Sequence, residues 1–189
     1  SAIPSTVASS IQIVKMCEAF SELKHNVLLI TTNVKKKKVS TLKYYNVKYK
    51  FSIKRIEKFT EFPLGLKYYL FSLFSVFESF KFRPDIYITR NFFTCFLLIL
   101  FKKKTIIELH HDLDTESRIV KFLVKYTKFL NSKYLKKAIA ITKGVKDEYI
   151  NNEHLDKKKI LVLPSGSSLS FIRKLNYEKK YFKIGYFGS

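Results

Sequence analysis

The densest group of ionisable side chains follows the apolar run TIIEL, where Glu108, His110, His111 and Asp112 fall within one short stretch. An imidazole beside carboxylates is suited to general acid–base work or to hydrogen bonding a substrate. A metal site is not expected, because adjacent histidines point in different directions and no third ligand is spaced to join them. A polar surface turn is the alternative interpretation.

Other polar residues stand directly after predicted strands or at predicted helix starts. Arg90 follows DIYIT and is suited to grip a phosphate or a carboxylate, or to pair with a neighbouring acid. Thr142 and Lys143 follow AIAI, where a lysine at a helix start faces either a phosphate or solvent. A serine-rich opening, which favours anion binding by free N–H groups or simple helix capping, contains Ser5, Thr6, Ser9 and Ser10.

The elements that position these residues alternate along the chain. Apolar runs predict strands at 25–32, 46–53, 85–90, 105–109, 138–142 and 159–164, and helical periods predict helices at 7–23, 64–80, 92–101, 115–136 and from Val145. The helix at 115–136 has an apolar stripe at Ile119, Phe122, Leu123, Tyr126 and Leu130. This alternation predicts an α/β fold with a doubly wound, mostly parallel Rossmann-like sheet and helices on both faces. Ligands of such sheets bind beyond the carboxyl ends of the strands, where the polar residues named above fall.

The formal net charge of +21 has two interpretations. The charge either reflects the lysine-rich amino-acid composition expected of an AT-rich genome or serves to bind a negatively charged partner, which would be nucleic acid or an anionic membrane surface. Only five of the 36 basic residues are arginine, and this scarcity argues against nucleic acid, whose binders draw on arginine forks as well as lysine charges.

A cytoplasmic protein is expected, with peripheral attachment to the inner face of the membrane as an open alternative. The run at 91–101 is too short to span a bilayer, and charged residues interrupt the segment at 62–82. Cys17 and Cys95 lie within apolar helical patterns and are predicted to be buried free thiols in a reducing compartment. The aromatic helix at 64–80 is the candidate membrane contact, with core packing as the alternative.

Several segments in register resemble family 4 glycosyltransferases of the GT-B fold. They are STVASSIQIVKMCEAFSELKHNVLLIT, DIYITRN, IIELHHDL, AIAITKGVKDEYI and KILVLPSGSSLSFI, and the closing FKIGYFGS is similar to the first strand of the second Rossmann-like domain of such enzymes. The resemblance implies an N-terminal, acceptor-side domain over 1–178 that lacks its first strand, with a connector from about residue 165. It implies the first strand of a donor-binding domain over 179–189, in a chain truncated at both ends and inactive alone.

The resemblance also implies an activity. The complete protein is expected to transfer a sugar, with retention, from a nucleotide-sugar donor to a glycan or lipid-linked acceptor in polysaccharide or glycolipid biosynthesis, without a cofactor or metal. His110 matches the family histidine that contacts the transferred sugar, so it is the expected catalytic residue. The expected substrate-binding residues are Ser5, Thr6, Ser9, Ser10, Arg90, Glu108, His111, Thr142 and Lys143.

Two other classes of protein stay open at this point. One is a non-catalytic basic α/β module that binds nucleic acid or an anionic membrane surface. The other is a non-catalytic, membrane-associated partner subunit that keeps only the acceptor-side half.

Overall fold

The structure is a computed structural model, and it describes residues 3–32, 40–56, 63–164 and 166. The helices are α1 (Ala8–Glu22), α2 (Thr41–Tyr44), α3 (Leu64–Phe82), α4 (Phe92–Leu100), α5 (Arg118–Thr127) and α6 (Lys143–Asn151). The strands are β1 (Leu28–Thr31), β2 (Ser52–Arg55), β3 (Tyr87–Thr89), β4 (Thr105–Leu109), β5 (Leu135–Ala140) and β6 (Ile160–Val162).

All of these strands run parallel to their neighbours. β1 pairs with β2, and a second sheet has the order β3-β4-β5-β6. Helices connect the successive strands and lie on both faces, as parallel pairing requires of a crossover connection. The predicted α/β, Rossmann-like fold class is therefore confirmed, and the carboxyl ends of β3, β4, β5 and β6 meet at one edge.

The main core forms around β4 and β5. Ile107 and Leu109 are fully buried in β4, and the α4 residues Phe92 and Cys95 pack into the same cluster. The centre of β4 is apolar on both faces because helices cover both, as in parallel sheets generally. This packing holds the carboxyl end of β4, and the polar residues after it, in a fixed position.

The helix predicted at 115–136 is wrong in its extent. α5 ends at Thr127, because Lys128 adopts a left-handed backbone conformation with φ of 50°. A 3-10 turn at Phe129–Asn131 follows, and β5 already begins at Leu135. Helix ends of this kind usually carry glycine, so a lysine in the left-handed position gives no stop signal in the sequence.

The apolar stripe predicted for this helix is buried only in part. Leu130 is buried in the main core and Leu123 packs against it, as predicted. Ile119, Phe122 and Tyr126 are instead 53, 57 and 69% exposed, and Val120 and Val124 enter the core. The apolar arc of α5 is wider than one contact face, so α5 packs on one edge of the arc and leaves the rest in solvent.

Smaller differences occur near the first sheet. β2 lies later than the strand predicted at 46–53, and the single-turn helix α2 is an element that the sequence reading missed. Both cysteines are free thiols, as predicted, although Cys17 is half-buried where Cys95 is fully buried. Burial, helped by the negative charge of Glu108, raises the pKa of Cys17 to about 12, so its thiol is a poor nucleophile. Within the described ranges, no helix combines the length and hydrophobicity needed to cross a bilayer.

Glu18 anchors α1 to the segment before β2. Its carboxylate accepts a hydrogen bond from the backbone N–H of Lys48 at 2.5 Å and one from Lys15 Nζ at 2.7 Å. Burial alone would raise the pKa of Glu18, but these hydrogen bonds outweigh it and hold the pKa below its ordinary value. The charged carboxylate therefore contributes stability above the pKa of the unfolded chain, and this contribution is lost as the pH falls through the folded pKa.

Glu18→Gln is accordingly expected to lower the free energy of unfolding by about 1 kcal/mol at neutral pH, where the charged acceptor is lost. The deficit should shrink as the pH is lowered through the acid range, because wild-type Glu18 then becomes neutral too. Urea unfolding at neutral and acidic pH measures both values, with Glu22→Gln on the exposed side of α1 as the control. A deficit that does not change with pH would contradict this account of Glu18.

Candidate active site

The pairing of β3 with β4 determines which polar side chains meet beyond these strands. Thr89 lies opposite Ile107, so the next residues along, Arg90 and Glu108, are also neighbours across the pair. Side chains alternate between the faces of a strand, so Glu108 and His110, two residues apart, point to the same face. Arg90, Glu108 and His110 therefore converge at the carboxyl edge of the sheet.

The contacts within this cluster are short and directional. Arg90 Nε donates a hydrogen bond to Glu108 Oε2 at 2.5 Å, and His110 Nε2 lies 3.2 Å from the same oxygen. The Glu108 side chain is 5% exposed, whereas those of Arg90 and His110 are 20 and 25% exposed. Glu108 is thus the buried member of the cluster, whereas the side chains of Arg90 and His110 reach the surface.

This arrangement assigns different roles to the two ring nitrogens of His110. A carboxylate paired with arginine only accepts hydrogen bonds, so Nε2 carries the proton that faces Glu108. In the neutral imidazole Nδ1 then keeps a lone pair and can accept a hydrogen bond from a hydroxyl group. Arg90 also retains binding capacity, since its buried Nη2 has no hydrogen-bond partner among the described residues.

His111 faces a different environment from His110. Its Nδ1 lies 2.6 Å from the hydroxyl of Thr115, and its Nε2 lies 3.7 Å from a carboxylate oxygen of Glu116. The backbone carbonyl of His111 accepts a hydrogen bond from Tyr149 at 3.3 Å. The local turn therefore holds His111 beside the start of α5, away from the Glu108 carboxylate.

The serine-rich opening is tied internally. Tyr45 Oη accepts from the backbone N–H of Ser5 and donates to its carbonyl, both at 2.7 Å, and Ser5 Oγ donates to Ser10 Oγ at 2.8 Å. The residue at the N-cap position of α1 is Val7, which has no side chain that can cap the helix, so none of the serines occupies that position. Ser5 and Thr6 line an open recess of about 290 Å³, together with Tyr44 and Tyr45. Ser9 is half-buried and Ser10 is fully buried.

Thr142 and Lys143 lie at the start of α6. Thr142 is the helix cap, and its hydroxyl accepts a hydrogen bond from the N–H of Val145 at 3.2 Å. Both residues are exposed at the edge that also carries His110, because Leu109 and Ala140 are paired neighbours in β4 and β5. The candidate site residues thus fall into four groups: the Arg90–Glu108–His110 cluster, His111 beside the start of α5, the serine-rich opening and the start of α6.

Sequence reasoning missed three residues that shape the site. Tyr45 fixes the serine-rich opening from 40 residues away, Tyr149 fixes the loop after β4, and Glu116 faces His111. The tyrosines carry no local signal, since their contacts depend on tertiary packing. Glu116 stands five residues after His111 and could have been found as part of the same acidic segment.

Most of the connector predicted from about residue 165, and all of the segment FKIGYFGS, lie outside the described residues, so the domain division at 178 stays a prediction. Among the described residues, no group of three or more histidine, cysteine, aspartate or glutamate side chains is placed to hold a metal ion.

The chain is similar to known proteins in both fold and sequence. The chain is similar over 88% of its length to the crystal structure of a glycosyltransferase from Rickettsia africae ESF-5, with a TM-score of 0.58 and 17% sequence identity. This chain spans 42% of that protein, and the likeness concerns the fold. No match was found among curated protein sequences. The sequence model of Glycosyltransferase Family 4 matches residues 10–171, and the chain belongs to this family.

Proposed function

We propose that the complete protein transfers a sugar from a nucleotide-sugar donor to a glycan or lipid-linked acceptor, with retention, in polysaccharide or glycolipid biosynthesis at the cytoplasmic face of the membrane. The observation that carries this proposal, beside the family, is the Arg90–Glu108–His110 cluster at the carboxyl edge of the sheet. The 189 residues supply the acceptor-side surface and are proposed to be inactive alone.

The cluster fits the charge changes of glycosyl transfer. The transition state resembles an oxocarbenium ion, while negative charge develops on the departing diphosphate. Because Nε2 of His110 faces Glu108, Nδ1 is proposed to hydrogen bond a hydroxyl of the transferred sugar. Nη2 of Arg90, which has no partner in the part of the chain that the structure describes, supports the proposal that this residue binds an anionic or carbonyl oxygen of a substrate.

The remaining residues are assigned supporting roles. Thr6 and Ser9 are proposed to contact the substrate from the serine-rich opening, which Ser5 and Ser10 hold in place. Thr142, Lys143 and His111 are proposed to line the same edge on its other side. No cofactor or metal is assigned a role.

The test is a transfer assay of the full-length protein with a panel of nucleotide-sugars and glycan or lipid-linked acceptors. We expect acceptor-dependent release of nucleoside diphosphate that survives chelation with EDTA. Nuclear magnetic resonance of the anomeric proton should show the same configuration in the product as in the donor. Absence of transfer across the panel would contradict the proposal, and an inverted product would contradict retention alone.

A further inference from the structure

We propose that the outward side of α5 docks the protein on an anionic phospholipid bilayer. This outer face of α5 consists of Arg118, Ile119, Phe122, Lys125 and Tyr126, all exposed. The inference deepens the proposed function, on which it rests for its purpose, since a lipid-linked acceptor has to be reached at a membrane surface.

The first argument is the composition of the face. Ile119, Phe122 and Tyr126 recur at helical spacing, so three large apolar side chains form one exposed row. The rings of Phe122 and Tyr126 pack against each other with centroids 4.5 Å apart. An exposed aromatic row beside cations is typical of helices that lie in the headgroup region.

The second argument is charge. Residues 118–127 contain three basic and no acidic residues, and Lys128 follows directly. Around the helix the cations lie next to Phe122, so the exposed arc is basic on one side and apolar on the other. Lys121 bonds to Asp114 at 3.2 Å, whereas Arg118 and Lys125 lie exposed on the same arc. Each basic residue near an anionic bilayer raises binding about fivefold.

The helices α5 and α3 also differ in charge. α3 contains the segment 64–80, which was the candidate membrane contact in the sequence. α3 exposes Phe74 and Phe77, but its nineteen residues carry two lysines and one glutamate. That glutamate, Glu78, pairs with Lys81 at 2.8 Å and lies 3.8 Å from Lys54. The charge of α3 is therefore largely satisfied within the protein, and α5 is the better complement to an anionic surface.

The location of α5 connects docking to the candidate site. α5 begins two residues after Glu116, which faces His111, and Tyr69 of α3 bonds to the cap residue Ser117 at 2.8 Å. A bilayer contacting the outer face of α5 would thus lie beside the edge that carries His110. A second copy of this face is a poor occupant, because two like-charged surfaces repel. Single-stranded nucleic acid binds to rings that are free to stack on bases, whereas these two rings pack on each other.

The test measures binding of the full-length protein to phosphatidylcholine vesicles with and without phosphatidylglycerol. We expect binding to the anionic vesicles that weakens with salt. Phe122→Ser with Tyr126→Ser should lower the partition coefficient at least about tenfold, while Phe74→Ser with Phe77→Ser should leave it within about twofold. Lys125→Glu should also weaken binding, most strongly at low salt.

A second measurement does not require the fold to tolerate the substitutions Phe122→Ser and Tyr126→Ser. The 189 residues contain no tryptophan, so Phe122→Trp and the matched Phe77→Trp each add one reporter to this part of the protein, and subtracting the emission of the unsubstituted full-length protein isolates it. Anionic vesicles should shift the emission of the first reporter to shorter wavelength and leave the second unchanged. The proposal would be overturned if the protein did not bind anionic vesicles, or if the Phe74 and Phe77 substitutions abolished binding. It would also be overturned if the α5 substitutions left vesicle binding unchanged and instead abolished self-association or binding to an oligonucleotide. Transfer to a water-soluble acceptor should survive the α5 changes, so failure of docking is distinguishable from failure of the proposed activity.

Discussion

His110→Ala in the full-length protein is expected to lower kcat/KM about 10²- to 10³-fold while leaving the fold intact. The estimate follows from the usual cost of removing one hydrogen-bonding group that stabilises charge in a transition state. The fold should survive because His110 lies beyond the end of β4, with a quarter of its side chain exposed. Steady-state kinetics, together with the circular dichroism melting curve of the variant, measures both effects.

Two other histidines provide the comparison for this prediction. His111→Ala should cost less activity than His110→Ala, because the ring of His111 bonds to Thr115 and faces Glu116. His25→Ala, after the end of α1 and exposed, should leave kcat/KM unchanged. Wild-type rates in the His110 variant, or equal losses in all three variants, would remove His110 from the site.

Glu108→Ala is expected to have the largest effect on stability, lowering the free energy of unfolding by about 3 kcal/mol. Removing one partner of a buried ion pair leaves the other charge uncompensated, here the guanidinium of Arg90. The partial exposure of Arg90 allows water to reach it and keeps the loss at the lower end of the usual range. Chemical unfolding of the two variants Glu108→Ala and Arg90→Ala measures the cost of breaking the pair from each side.

The control for this prediction is the double variant Arg90→Met with Glu108→Met. Removing both charges leaves neither uncompensated, so the double variant should lose less stability than the two alanine variants added together. Additive losses would show that Arg90 and Glu108 do not act as a pair. Glu108→Gln is expected to retain most of the stability and to lower kcat, because the amide no longer fixes the protonated nitrogen of His110.

The fold class and the placement of Arg90 and His110 at strand ends could be predicted from the sequence. TIIEL is a strand with the predicted bounds, because a short apolar run of β-branched residues has few alternatives in a parallel sheet. The placement of Arg90 and His110 at strand ends followed directly from such runs. The bond between Arg90 and Glu108 did not follow, because it depends on β3 lying beside β4 with Thr89 opposite Ile107.

α5 shows where periodicity stops being informative. Val120, Phe122, Val124 and Tyr126 are all apolar, so the pattern fixes a helix but not which part of its wide apolar arc enters the core. The helix ends at a lysine in the left-handed conformation, Lys128, and without a glycine at this position the sequence does not indicate the end. The contacts of the serine-rich opening could not be predicted for another reason. Its partner Tyr45 is 40 residues away from Ser5, and only tertiary packing brings the two together.

The most direct test of the central claim is a crystal structure of the full-length protein with an intact nucleotide-sugar. The account predicts that the sugar lies at the carboxyl edge of the sheet, with one of its hydroxyl groups within hydrogen-bond distance of His110 Nδ1. It also predicts that Glu108 still contacts Nε2 of the same ring. A donor sugar bound beyond the reach of His110 and Arg90 would contradict the assignment of this cluster as the active site.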